Sequence, residues 1–293
     1  AVYKMIKASS PETLVTPKPI SVAQDANCAN SGNDPWLWRD ACDVYGFDFY
    51  PMNRGGYHAA ALGVDFARTQ LEKKLCCTES SIVEVVGQCV APPKPLEFNC
   101  VYWPAFLRGL GGCYWYEWFA GWSPQSKLFF LANQDGSLTE NGKEVARIAK
   151  GVQTLAPVLN FAKPDDVQTA LYFPWEQIDQ QPDNTSINAV HAAYKMLCQL
   201  QIPVDIISYH NIRRGDLSKY KALVLPGSRH LSKDIASAVG SFVKNGGILV
   251  ADMDSGLYDE THKEARSLEQ VFGIKHLSDN DSFGSYSLGS ETE

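Results

Sequence analysis

Short apolar runs alternate along this chain with stretches of helical periodicity, separated by Gly-, Pro- and Asn-bearing turns. In the first half, residues 1–7 read as a helix ended by Ser9-Ser10-Pro11. Residues 14–21 read as extended and Pro-punctuated, and 42–50 as a strand stopped by Pro51. A helix is predicted over 58–75, a strand over Ser81–Gln88, a helix near 102–110 and an aromatic strand over 111–118. A long helix follows over 140–159, with apolar residues at Val145, Ile148, Ala149, Val152, Leu155 and Leu159. The pattern restarts after Ala162-Lys163-Pro164-Asp165. Strands are predicted over 167–173, 204–208, 222–225 and 248–252, with helices over 187–200 and 232–245. The second of these helices meets Gly246-Gly247, the expected left-handed stop. Strand–helix alternation of this kind predicts an α/β fold with parallel strands joined by crossover helices. Its second half predicts a flavodoxin-like doubly wound sheet. The Ser/Gly/Asp-rich tail from Ser278 is expected to be mobile.

At 293 residues the chain is long enough for two domains, and the pattern divides it into 1–163 and 164–293. No apolar stretch reaches the length a bilayer requires, so no membrane span is expected. A net charge of −7 without a Lys/Arg cluster argues against nucleic acid as a partner and leaves a neutral substrate such as a sugar open. Seven of the eight cysteines fall between Cys28 and Cys113, without CxxC or Cys/His zinc spacing. Neither a metal nor another cofactor is therefore expected. The loop-rich placement of several of these cysteines leans toward disulfides and an extracellular or secreted location, with buried free thiols as the alternative. The sequons at Asn184 and Asn280 are compatible with secretion.

The run Ser81-Ile-Val-Glu-Val-Val-Gly-Gln88 sets one carboxylate, Glu84, inside an apolar, β-branched strand. An unpaired charge there is costly, so Glu84 needs either a salt-bridge partner or a chemical role. In the second half, Pro226-Gly-Ser-Arg-His230 offers Ser228 and His230 at a strand-to-helix turn. A hydrolytic pair there is weighed against a structural loop, and the loop is preferred. No Gly-rich nucleotide fingerprint occurs.

Several motifs together resemble the family-42 glycoside hydrolases of the bacterial β-galactosidase type. Ala8–Pro17 looks like the stretch leading into barrel strand five, and Asp43-Val-Tyr-Gly-Phe-Asp-Phe-Tyr-Pro51 like strand six. Ile82-Val-Glu-Val-Val-Gly87 is similar to strand seven, and Tyr114-Trp-Tyr-Glu-Trp118 to strand eight. Leu171-Tyr-Phe-Pro-Trp-Glu176, 216–226 and Gly246-Gly-Ile-Leu-Val250 follow the domain that commonly mediates trimer assembly in that family.

The resemblance implies strands five to eight of a (β/α)8 TIM barrel followed by the flavodoxin-like domain. It gives Glu84 the role of nucleophile in a retaining hydrolase of β-galactoside-like or related β-linked sugars. Asp48, Tyr50, Trp115 and Trp118 are the candidate carbohydrate-binding residues, at the strand ends where such barrels carry their sites. Tyr50 would donate a hydrogen bond to the nucleophile. Whether Trp115 or Trp118 meets sugar depends on the register of its strand, and Glu117 is read as a salt-bridged neighbour. Retaining chemistry needs two carboxyl groups, and the acid/base Glu would lie upstream of Ala1. The chain is thus expected to need a missing N-terminal half-barrel and to be inactive alone, with a homotrimer as the possible assembly. The alternative is a non-catalytic structural or carbohydrate-binding subunit.

Overall fold

The computed structural model describes residues 2–19, 34–50, 57–80, 84–86, 89–91, 94–116, 118–119, 130–159, 166–180, 184–252, 254–278 and 285–288. The fold is α/β with parallel sheets, and the chain divides into two compact units, Ala1–Asp165 and Asp166–Glu293.

The first unit opens with α1 (Val2–Ser9) and carries the strands β1 (Val44–Phe49), β2 (Lys74–Ser80) and β5 (Leu110–Trp115). These form a parallel three-stranded sheet in the order β1-β2-β5. Helix α2 (Tyr57–Leu71) connects β1 to β2, and α3 (Pro95–Leu107) precedes β5. The long α4 (Glu140–Leu159) follows, with Val145 and Ile148 buried and Leu155 and Val158 facing solvent. Tyr45, Phe47, Leu62, Leu71, Tyr102 and Ile148 are the largest fully buried side chains here. Arg108, just past α3, bonds Asp65 of α2 at 3.1 Å and ties the two helices together.

Two sequence expectations need correction in this unit. Helix α2 stops at Leu71, because Glu72 takes a left-handed conformation at φ 52° that no helix can continue. The strand beside β1 is therefore Lys74–Ser80, not the Ile82–Val86 run. Glu84 instead opens β3 (Glu84–Val86), which pairs antiparallel with β4 (Cys89–Ala91) in a separate two-stranded sheet. The tendency toward disulfides is not met among the described residues: Cys42, Cys76, Cys77, Cys100, Cys113 and Cys198 are not in disulfide bonds.

The second unit contains β6 (Thr169–Tyr172), β7 (Val204–Ile207), β8 (Ala222–Leu225) and β9 (Ile248–Ala251), all parallel in the order β7-β6-β8-β9. Helices α5 (Trp175–Gln180) and α6 (Thr185–Gln199) follow β6, and α7 (Tyr209–Arg213) follows β7. Helix α8 (Lys233–Lys244) lies between β8 and β9. Its end is the predicted one, with Gly246 at φ 94°. Leu223, Leu225, Ile235, Val239 and Tyr172 pack into one buried cluster. A last short helix, α9 (Glu269–Phe272), leads into β10 (Ile274–Ser278). In the tail expected to be mobile, β11 (Ser285–Leu288) pairs antiparallel with β10.

Candidate functional site

Parallel strands bring their C-terminal ends to one edge, and in the first unit that edge collects Asp48, Tyr50, Glu79, Ser80 and Trp115. The register between β1 and β2 runs Phe47↔Cys77 and then Asp48↔Glu79, so Thr78 is an extra residue on β2. Such a bulge re-aims side chains locally. Alternation along β2 breaks at the same point: Leu75, Cys77 and Ser80 are buried, while Thr78 and Glu79 are both partly exposed neighbours. Thr78 Oγ1 donates to Asp48 Oδ1 at 2.9 Å, and the Glu79 carboxylate takes the place beside them.

A fourth, extended segment flanks this edge beside β1. The Val15 carbonyl accepts from the Asp43 and Val44 amides, and the Pro19 carbonyl accepts from the Asp48 amide at 3.0 Å. Close approach there requires Gly46, since a Cβ at that position would run into Thr16 Oγ1, the Pro17 carbonyl and Thr78 Cγ2. This segment delivers Lys18, whose ammonium lies 2.5 Å from Glu79 Oε2 and 3.5 Å from Asp48 Oδ2. Tyr50 donates its hydroxyl proton to Glu79 Oε1. Both oxygens of one carboxylate are thus held, one by a phenol and one by a cation.

The electrostatics separate the two carboxylates. Burial opposes ionisation of Glu79, but the Lys18 and Tyr50 bonds outweigh it and its pKa falls below the ordinary glutamate range. Asp48 moves the other way. Burial raises its pKa, the Glu79 charge adds to the rise, and Thr78 and Lys18 only partly offset it. Burial, then the Glu79 bond, pushes the Tyr50 phenol far up, so it remains a proton donor throughout the working pH range. An ionised, doubly held carboxylate beside a neutral phenol is suited to act as a nucleophile or an anchor, not as an acid.

The sequence-predicted residues divide accordingly. Asp48 and Tyr50 lie at this edge. Glu84 lies in the β3–β4 hairpin, outside the parallel sheet. Trp115 is committed to packing, with its ring 4.1 Å from Tyr102 and 6.1 Å from Phe98 of α3. Trp118, just past β5, is 61% exposed. Glu117 lies outside the described residues. Glu79 and Lys18 were not singled out by sequence. The available signal was Thr78-Glu79-Ser80 closing an alternating strand between the strand-six-like and strand-eight-like motifs.

In the second unit, Ser228 and His230 do not form a hydrolytic pair. Ser228 donates to the Pro226 carbonyl at 3.1 Å. The His230 ring nitrogens bond Gln177 Oε1 at 2.5 Å and His262 Nδ1 at 2.7 Å. The turn is therefore structural. Among the described residues, no cluster of His, Cys, Asp and Glu is arranged to hold a metal ion.

Residues 167–281 match the family described as the β-galactosidase trimerisation domain. A β-galactosidase of Heyndrickxia coagulans is 25% identical over 241 residues, covering 78% of this chain and 35% of that protein. One from Bacillus licheniformis is 26% identical over 146 residues, covering 45% and 21%. The matched part of the chain therefore spans between about a fifth and a third of the length of these curated relatives. Among solved structures, the β-galactosidase from Bacillus circulans sp. alkalophilus superposes with a TM-score of 0.75 at 20% identity, covering 95% of this chain and 42% of that one. A GH42 β-galactosidase from G. stearothermophilus gives 0.72 at 18%, covering 94% and 43%. These two likenesses establish the fold. Together with the sequence relatives, they identify a β-galactosidase-like chain, similar to the family-42 glycoside hydrolases across both of its units.

Proposed function

We propose that this chain supplies the nucleophile-bearing part of a retaining glycoside hydrolase acting on β-galactosides or related β-linked sugars. In this reading the segment at 15–19, β1, β2 and β5 are strands five to eight of a (β/α)8 barrel. The domains divide near residue 163, and the second is flavodoxin-like and assembles the protein as a trimer. Glu79 takes the nucleophile role that the sequence motif gave to Glu84. The observation that carries this assignment is the Tyr50–Glu79 hydrogen bond at the shared C-terminal edge of the parallel strands, where barrel enzymes keep their chemistry.

The steps follow from that geometry. Glu79 attacks the anomeric carbon as the departing oxygen is protonated, and water then cleaves the glycosyl ester. Tyr50 keeps the carboxylate aimed, Asp48 organises the edge through Thr78 and Lys18, and Trp118 offers a ring to the sugar face. No residue of this chain is assigned as the acid/base. The curated relatives are about twice as long, and in this reading that carboxylate comes from a further half-barrel.

Incubation of the protein with a 2-deoxy-2-fluoro-β-galactosyl fluoride, followed by peptide mapping, tests the assignment. A covalent adduct on Glu79 supports it, and an adduct on Glu84 returns the role to the hairpin. Galactose binding with no adduct would favour the second reading, a non-catalytic carbohydrate-binding subunit. The observation behind that reading is the Lys18 ammonium already seated on the oxygen a nucleophile must use.

A further inference from the structure

The Glu79 carboxylate has a feature the nucleophile role alone does not require. One of its oxygens is held by a phenol that cannot leave easily, being half-buried at the end of β1. The other is held by Lys18, which is 54% exposed and reaches in from the segment at 15–19. We infer that Lys18 is a positioning residue for Glu79, a movable cation that yields Oε2 to the incoming sugar and stabilises the carboxylate when that sugar leaves. The inference rests on Glu79 being the nucleophile.

The chemistry assigns Lys18 opposite effects on the two steps. In the first, a Glu79 oxygen forms a bond to the anomeric carbon while the bond to the departing oxygen breaks, and that oxygen receives a proton from the acid. The carboxylate loses its charge, so an ammonium beside it favours the starting state. In the second, water bonds to the anomeric carbon and gives its proton to the base. The ester bond breaks, and its electron pair returns to Glu79. The ammonium now faces a growing negative charge and favours the products. Lys18 thus slows loading of the nucleophile and speeds its release.

Other groups also face Glu79. Among the described residues these are Asp48 and Tyr50, with Tyr116 beyond Tyr50 on the β5 side. The Glu79 charge raises the pKa of Asp48, and Tyr50 favours ionisation of Glu79 by donating. Lys18 is the cation of the group, and it contacts both carboxylates. Gly46 supports the assignment independently. The notch it leaves is filled by the backbone and side chain of Thr16 and Pro17, directly before Lys18.

The test compares wild-type protein with Lys18→Met and Lys18→Arg. The Glu79 carboxyl is titrated by carbon-13 NMR, with Glu79→Gln identifying its resonance. The rate at which the 2-fluorogalactosyl adduct is hydrolysed is measured in parallel. In Lys18→Met the Glu79 titration moves to higher pH and adduct hydrolysis slows roughly threefold or more, the size expected of a half-exposed ion pair. Lys18→Arg restores both. A Lys18→Met protein that titrates Glu79 at the wild-type pH overturns the inference. If Lys18→Met does not fold, wild-type protein at low and at molar salt reads the same ion pair. Screening then moves the titration upward, and an unmoved titration overturns the inference. An adduct on another residue overturns the nucleophile role and the release role with it, while the titration still judges the ion pair by itself.

Discussion

Tyr50 donates its phenolic proton to Oε1 of Glu79 across the junction of β1 and β2. A hydrogen bond to a charged acceptor contributes about 1.5–3 kcal/mol. Tyr50→Phe is therefore expected to lower kcat/KM by roughly tenfold to a hundredfold and to raise the pH at which activity is lost on acidification. A pH–rate profile that keeps its wild-type acidic limb would remove Tyr50 from the site.

Two glutamates compete for one role, and a pair of substitutions separates them. Glu79→Gln is expected to lower kcat by roughly four orders of magnitude, whereas Glu84→Gln leaves it near wild type. Steady-state assays on an aryl β-galactoside, run with the half-barrel that supplies the acid/base present, read both. The reverse pattern would restore Glu84.

Gly46→Ala places a methyl group against Thr16, Pro17 and Thr78. Overpacking of this kind costs about 1–3 kcal/mol. It also pushes Lys18 away from Glu79, so both the melting temperature and the Glu79 titration move. A change in melting temperature alone would show that the segment at 15–19 adjusts without disturbing the ion pair.

Leu223 is fully buried in the central cluster of the second unit. Its replacement by Ala is expected to cost about 2–5 kcal/mol, measured as a fall in the denaturation midpoint of that unit. A cost below about 1 kcal/mol would mean that the cluster collapses around the gap.

Arg213 lowers the pKa of Asp234 from an ordinary 3.8 to about 2. A depressed carboxylate stabilises the fold above its unfolded pKa, and that contribution is lost as pH falls through the folded value. Half-exposure limits it to under about 1 kcal/mol. Asp234→Asn should therefore be less stable than wild type at neutral pH, with the difference fading between pH 3.8 and about 2. A constant difference across that window in denaturant titrations would assign the effect to something other than the ion pair.

The second unit was largely legible from sequence. Its strand at Ala222–Leu225 appears at the predicted positions, and Gly246 stops α8 as expected. Short apolar strands buried on both faces give continuous hydrophobic runs that are easy to see. The first unit was harder to read. A non-glycine residue, Glu72, adopts the left-handed conformation that ends α2, and no punctuation marks it. The following strand, Lys74-Leu-Cys-Cys-Thr-Glu-Ser80, carries so few β-branched residues that the neighbouring Ile82–Val86 run draws attention away from it. Glu79 was hidden for that reason. Lys18 was hidden because a lysine between two prolines shows no chemistry until the chain folds it against a carboxylate.

The offset at Thr78 makes this edge a matter of counting as well as of chemistry. Beyond the extra residue, β2 resumes pairing with β1 one position out of phase. Deleting Thr78 would take away its bond to Asp48 and leave Tyr50, Lys18 and Glu79 in the sequence, yet a single-residue slip turns a strand's side chains to its opposite face. Glu79 would then point away from Tyr50 and Lys18. The site therefore has a parity, and gaining or losing one residue in β2 acts on it as an inverter does on a signal.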